Sequence, residues 1–117
     1  MLKTKKQEKN GQWFRGQIRA FLIRNGATER LNKAYEYAIS TKLGTLQISV
    51  YLDWVACRFD DVDRAVAVIG PHGMNPYSGK WNHHYDVSYF QTQEMASRAV
   101  ATFVADLSRF LPEPVRD

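Results

Sequence analysis

Between Gln12 and Asn25 the apolar residues Phe14, Ile18, Phe21 and Leu22 recur at helical spacing, which predicts a first helix over about 12–25. Asn25 and Gly26 supply its stop, because glycine takes the left-handed conformation at no steric cost. Residues 1–10, MLKTKKQEKN, have no apolar periodicity and read as a basic, flexible tail. Residues 11–117 are then expected to form a single α+β domain, since a chain of 117 residues has material for one core of normal size.

Beyond the helix the period changes to two. Leu31, Lys33, Tyr35, Tyr37 and Ile39 alternate as a strand would, although Leu31, Tyr35 and Ala38 also suit a helix. The strand is preferred because a turn at 41–44 and a cleanly alternating run at 45–52 follow it. That run places Leu46, Ile48, Val50 and Leu52 on one face and Thr45, Gln47, Ser49 and Tyr51 on the other. In residues 54–59, Val55, Cys57 and Phe59 alternate with Trp54, Ala56 and Arg58, which predicts a further strand.

Asp60 and Asp61 offer an N-cap and Asp63 complements the helix dipole, so a helix is expected over about 61–69, ending at Gly70 and Pro71. After a loop at 70–80, Trp81, His83, Tyr85, Val87 and Tyr89 alternate as a fourth strand. Thr92 or Gln93 then opens a last helix, whose stripe is Met95, Ala99, Phe103, Leu107 and Leu111, widened by Val100 and Phe110. The prediction is an α+β fold in the order α-β-β-β-α-β-α. Its antiparallel sheet has about four strands, with helices packed on one face.

Hydrophobic residues at 44% and charged residues at 24% are those of a globular chain. Charge is distributed unevenly: residues 1–33 hold nine Lys/Arg against Glu8 and Glu29, while the remainder is net acidic. A basic arm or helix on a nearly neutral body follows, able to meet phosphate, an acidic protein surface or only water. No stretch has the length and apolarity of a membrane span, and the charged first ten residues precede no apolar signal core, so a cytoplasmic protein without membrane contact is expected. The lone cysteine, Cys57, lies in an apolar run and reads as a buried thiol.

The 75–82 segment carries the most chemistry. Gly79 allows close backbone approach, Ser78 and Lys80 can donate to an anion, and Tyr77 and Trp81 offer flat faces for a planar group. It lacks the spacing of a phosphate-binding GxxxxGK[ST] loop. The competing structural reading is a rigid turn in which Trp81 plugs the core and Lys80 covers it. On the polar side of the strands, Tyr51, Trp54 and Arg58 would make a stacking platform or interface centre if exposed. The apolar stripe of the first helix is expected to cover that side instead, which leaves Arg15 and Arg19 to set how basic the outer surface is.

A metal site built on His72, His83 and an aspartate is weakened by strand geometry, because His83 and His84 are adjacent and must point to opposite faces. No nucleophile motif and no cofactor motif is present.

The segments Trp54-Val55-Ala56-Cys57-Arg58-Phe59-Asp60-Asp61-Val62 and Asn75-Pro76-Tyr77-Ser78-Gly79-Lys80-Trp81-Asn82 resemble small uncharacterised proteins of bacterial accessory DNA, phages and plasmids. That group has no assigned activity, so the resemblance implies only an accessory or host-interaction role. The expectation is a non-enzymatic binding protein without cofactor, contacting nucleic acid or a nucleic-acid-handling protein. Lys80, Arg15 and Arg19 would supply charge, with Asn75, Tyr77, Ser78, Trp81, Trp54 and Arg58 completing the site. A protein-interaction or inhibitor module acting as a homodimer is the alternative, and a metal-dependent hydrolase the third.

Overall fold

The computed structural model describes residues 4–70, 74–75 and 77–112. The chain runs α1 (Lys5–Arg24), β1 (Thr28–Glu29), β2 (Glu36–Thr41), β3 (Gly44–Val50), β4 (Trp54–Phe59), α2 (Val62–Ile69), β5 (His83–His84), a short 3-10 helix (Val87–Phe90) and α3 (Gln93–Ser108). The five strands form one antiparallel sheet in sequence order, β1-β2-β3-β4-β5, so every neighbour is a meander connection. The fold class is therefore α+β, with two departures from the predicted strand order.

The first departure is at 31–39. Asn32 and Tyr35 both take positive φ, 62° and 64°, and the chain turns there rather than extending. Pairing starts at Glu36, and the two-residue β1 adds an edge strand that short-range alternation does not reveal. The second is at 81–89. Residues 80–84 run beside β4, but Asp86 caps the 3-10 helix by accepting from the Ser88 amide at 2.9 Å, which ends the extended run.

Helix α1 starts at Lys5, earlier than predicted, so residues 5–10 are helical rather than part of a tail. Thr4 and Gln7 form a reciprocal capping box, each side chain bonded to the other's backbone amide at 3.0 Å. Asn10 then anchors the first turns, its buried Nδ2 donating to the Phe90 carbonyl at 2.8 Å. A polar contact eighty residues away in sequence fixes this stretch, which is why apolar periodicity misses it. The other caps follow expectation: Asp61 accepts from the Arg64 amide to open α2, and Thr92 from the Met95 amide to open α3.

The core lies on one side of the sheet. Tyr37, Ile39, Leu46, Ile48, Val50, Val55, Cys57 and Phe59 are buried there, beneath Phe14, Ile18 and Leu22 of α1 and Ala96, Ala99, Phe103 and Leu107 of α3. Each large side chain so buried contributes about 1.5–3 kcal/mol. Burial pushes the Cys57 thiol pKa well up, which keeps it protonated and unreactive. Contrary to the expectation from the sequence, the stripe of α1 thus covers the apolar face and not the side carrying Tyr51, Trp54 and Arg58. The physical reason is plain: Phe14, Ile18 and Leu22 find apolar partners only on the Leu46, Ile48 and Val50 side. The opposite side offers Gln47, Ser49 and Arg58.

Candidate functional site: the open face of the sheet

Among the described residues no helix lies over the other side of the sheet, which forms a broad groove of about 710 Å³. Its side chains fall into rows, because antiparallel register places same-face residues of neighbouring strands abreast. One row is Thr28, Ala38, Gln47, Arg58 and Lys80, paired in that order across the sheet. A parallel row holds Glu36, Ser49 and Ala56, and the same register brings Asn82 opposite Ala56. Arg30 joins this row through a 2.7 Å bond from its amide to the Glu36 carbonyl. Ala38, Ser49 and Ala56 keep the floor low, and Arg30, Arg58 and Lys80 supply positive charge.

At one end of the groove three rings stack across three chain segments. Tyr51 lies on Trp54 at 4.3 Å and 6°, and Trp54 on His84 at 4.9 Å and 5°. Tyr51 remains 44% exposed, so the stack presents an open outer face to solvent. Both faces of Trp54 are occupied. A planar ligand therefore extends the stack instead of lying on Trp54 itself. Trp54 and Arg58 are four residues apart on β4, which separates the aromatic row from the Arg58 and Lys80 row by about 14 Å.

The 75–82 loop resolves into a rigid turn against the edge of β4. The Asn75 Oδ1 accepts from the amides of Tyr77 at 2.9 Å and Ser78 at 3.3 Å, so this side chain is spent on the turn. Gly79, at φ 72°, packs so tightly that a Cβ would lie 2.9 Å from the Phe59 carbonyl oxygen and 2.9 Å from Val62. Ser78 turns its Oγ inward, where it is buried with no hydrogen-bond partner among the described residues. Trp81 is core, 5% exposed and edge-on to Phe110 at 5.5 Å. Of the loop, Lys80 faces the groove, and Tyr77 stands at the tip, 94% exposed. Pro76 lies outside the described residues.

Arg15 and Arg19 are elsewhere. Arg15 sits over the Tyr35 ring at 4.0 Å, and Arg19 pairs with Glu29 at 3.3 Å on the helix side of the sheet. That contact, helped by Tyr37, holds the Glu29 carboxyl below its ordinary pKa. The structure thus brings together Trp54, Arg58 and Lys80 from the sequence-predicted set, and separates them from Asn75, Ser78, Trp81, Arg15 and Arg19. Arg30, Glu36 and Asn82 join the groove without having been singled out. For Arg30 and Glu36 the signal lay in the register of β1 and β2, hidden by the turn at 31–35, whereas Asn82 lies in the 75–82 segment beside β4.

The histidines behave as strand neighbours should. His83 is turned into the core, edge-on to Trp81 at 4.6 Å and Phe103 at 5.3 Å, while His84 is exposed on Trp54. Burial lowers the His83 pKa, partly offset by Asp106 at 3.7 Å. Among the described residues no group of three His, Cys, Asp or Glu side chains is placed to hold a metal; His72 lies outside them. Asp61 and Asp86 are engaged as caps. Among the described residues no helix is long and apolar enough to cross a membrane. Comparison with known proteins finds no matching family model, no matching curated protein and no matching solved structure.

Proposed function

We propose that this protein is a non-enzymatic binding module that holds single-stranded nucleic acid on the open face of its sheet, in an accessory role of the mobile-element type. The observation that carries this reading is the row Gln47, Arg58 and Lys80 beside the Tyr51, Trp54 and His84 stack, on a face that no helix covers among the described residues. Among the described residues Arg30, Arg58 and Lys80 have no ion-pair partner, whereas Arg19, Arg98 and Arg109 do. Cations left unpaired along a shallow polar groove suit a phosphate backbone, and the aromatic row suits a base, whose stacking is worth about 1–3 kcal/mol. Shape argues for a single strand, because bases must be splayed to reach the ring stack.

The competing occupant of this face is a second copy of the chain. A two-fold axis passing beside Arg58 and Lys80 would bring these side chains toward their own copies, and like charges brought together disfavour that dimer. Fluorescence anisotropy with labelled single-stranded RNA and DNA at several salt concentrations tests the proposal. Two phosphate contacts, at Arg58 and Lys80, predict a slope of log K against log salt of about −1.4 for a single strand. The double variant Arg58→Ala, Lys80→Ala should remove most of that slope. Salt-independent binding, or unchanged binding by the double variant, contradicts the proposal.

A further inference from the structure

From the placement of Glu36 we infer that the groove selects bases bearing an exocyclic amino group, with Glu36 as the specificity-determining residue; this rests on the reading of the open face as a nucleic-acid site. Glu36 is the carboxylate that lines a groove otherwise bordered by Arg30, Arg58 and Lys80. Its carboxylate has no hydrogen-bond or ion-pair partner among the described residues, so it is not spent on a cap or bridge as those of Asp61, Asp86 and Glu29 are. A carboxylate accepts hydrogen bonds and repels phosphate. The backbone of a bound strand must therefore follow the Arg58 and Lys80 row, which leaves base edges over the row of Glu36.

That row is built for a flat edge. Glu36 stands directly across from Ser49, and Ser49 from Ala56, two small side chains that let a base approach the sheet. Glu36 accepts from an amino group, such as N4 of cytosine, and meets the O4 of uracil with lone pair against lone pair. Asn82 and Ser49 can donate or accept and add no bias between the two bases. Cytosine and uracil have the same ring size, so a comparison between them isolates the amino contact from stacking.

The test is a set of anisotropy titrations of the full chain with short homopolymers, oligo-C and oligo-U, run as RNA and repeated with oligo-dC and oligo-dU to separate the sugar from the base. Oligo-C should bind roughly tenfold more tightly than oligo-U, and Glu36→Gln should close most of that gap because its amide can also donate to O4. The variant is isosteric, and its fold is verified by an unchanged thermal transition. Glu36→Ala, which also removes the carboxylate, should close the gap too. Equal binding of oligo-C and oligo-U by the native protein, or a gap that survives in both variants, overturns the assignment of Glu36 while leaving the nucleic-acid site standing. A variant that strengthens both homopolymers equally also overturns it, since Glu36 then acts only as a repulsive charge. Absence of binding to every homopolymer at low salt overturns the site itself.

Discussion

Arg58 of β4 stands directly opposite Lys80 across the bridge that joins the sheet to the 75–80 turn. Two like charges placed abreast on neighbouring strands oppose each other by some tenths of a kcal/mol up to about 1 kcal/mol. Nothing in the packing requires either charge, because both side chains are exposed on the groove side. Replacing Lys80 by Gln should therefore leave stability unchanged or raise it by about 0.5 kcal/mol while weakening oligonucleotide binding. Urea unfolding and anisotropy on the same preparation measure both; a loss of stability would mean that Lys80 is there to support the fold.

The turn that presents Lys80 depends on Gly79. Its φ of 72° and the two 2.9 Å approaches leave no room for a side chain. Gly79→Ala should cost about 2 kcal/mol, from strain plus displacement of Phe59 backbone or Val62, measured by chemical denaturation.

Asn10 supplies a prediction for α1. Its Nδ2 is the buried donor to the Phe90 carbonyl, and removing it strands that acceptor. Asn10→Ala should lower stability by about 1–3 kcal/mol and speed amide exchange in the first turns of α1.

How much of this architecture the chain spells out varies with the kind of interaction that builds each part. Strand β4 and the caps at Asp61 and Thr92 are legible because alternation and capping act within a few residues. The extension of α1 to Lys5 has a local signal in the Thr4 and Gln7 capping box, but apolar periodicity does not show it, because the first turns are anchored by Asn10 meeting a carbonyl eighty residues on. The site divides the same way. Trp54 and Arg58 can be placed on one face from β4 alone, but the company of Arg30, Glu36 and Lys80 comes from strand register, which is a long-range property. The basic first third of the chain is misleading for a related reason. Arg15 and Arg19 are absorbed by Tyr35 and Glu29, partners made available only by the turn at 31–35.

His83 predicts a pH dependence. Burial among Trp81 and Phe103 lowers its pKa below the unfolded value of about 6.5, so the unfolded chain takes up the proton first. Its contribution is fully present above about pH 6.5 and is lost as the pH falls from there toward the folded-state value. Asp106 moderates the loss by favouring the charged ring. Thermal melts between pH 7.5 and 5 should show a falling transition temperature, and His83→Phe should flatten the upper part of that curve. An equally steep decline in the variant would assign it to carboxylates instead.

The central claim concerns which face of the molecule meets its ligand, and an amide chemical-shift titration with a short single-stranded oligonucleotide locates that face directly. The predicted perturbations fall on Ala38, Gln47, Ser49, Trp54, Ala56, Arg58 and Lys80, with α1 around Arg15 and Arg19 and the exposed side of α3 silent. Perturbations centred on α1, or none at saturating oligonucleotide, would contradict it.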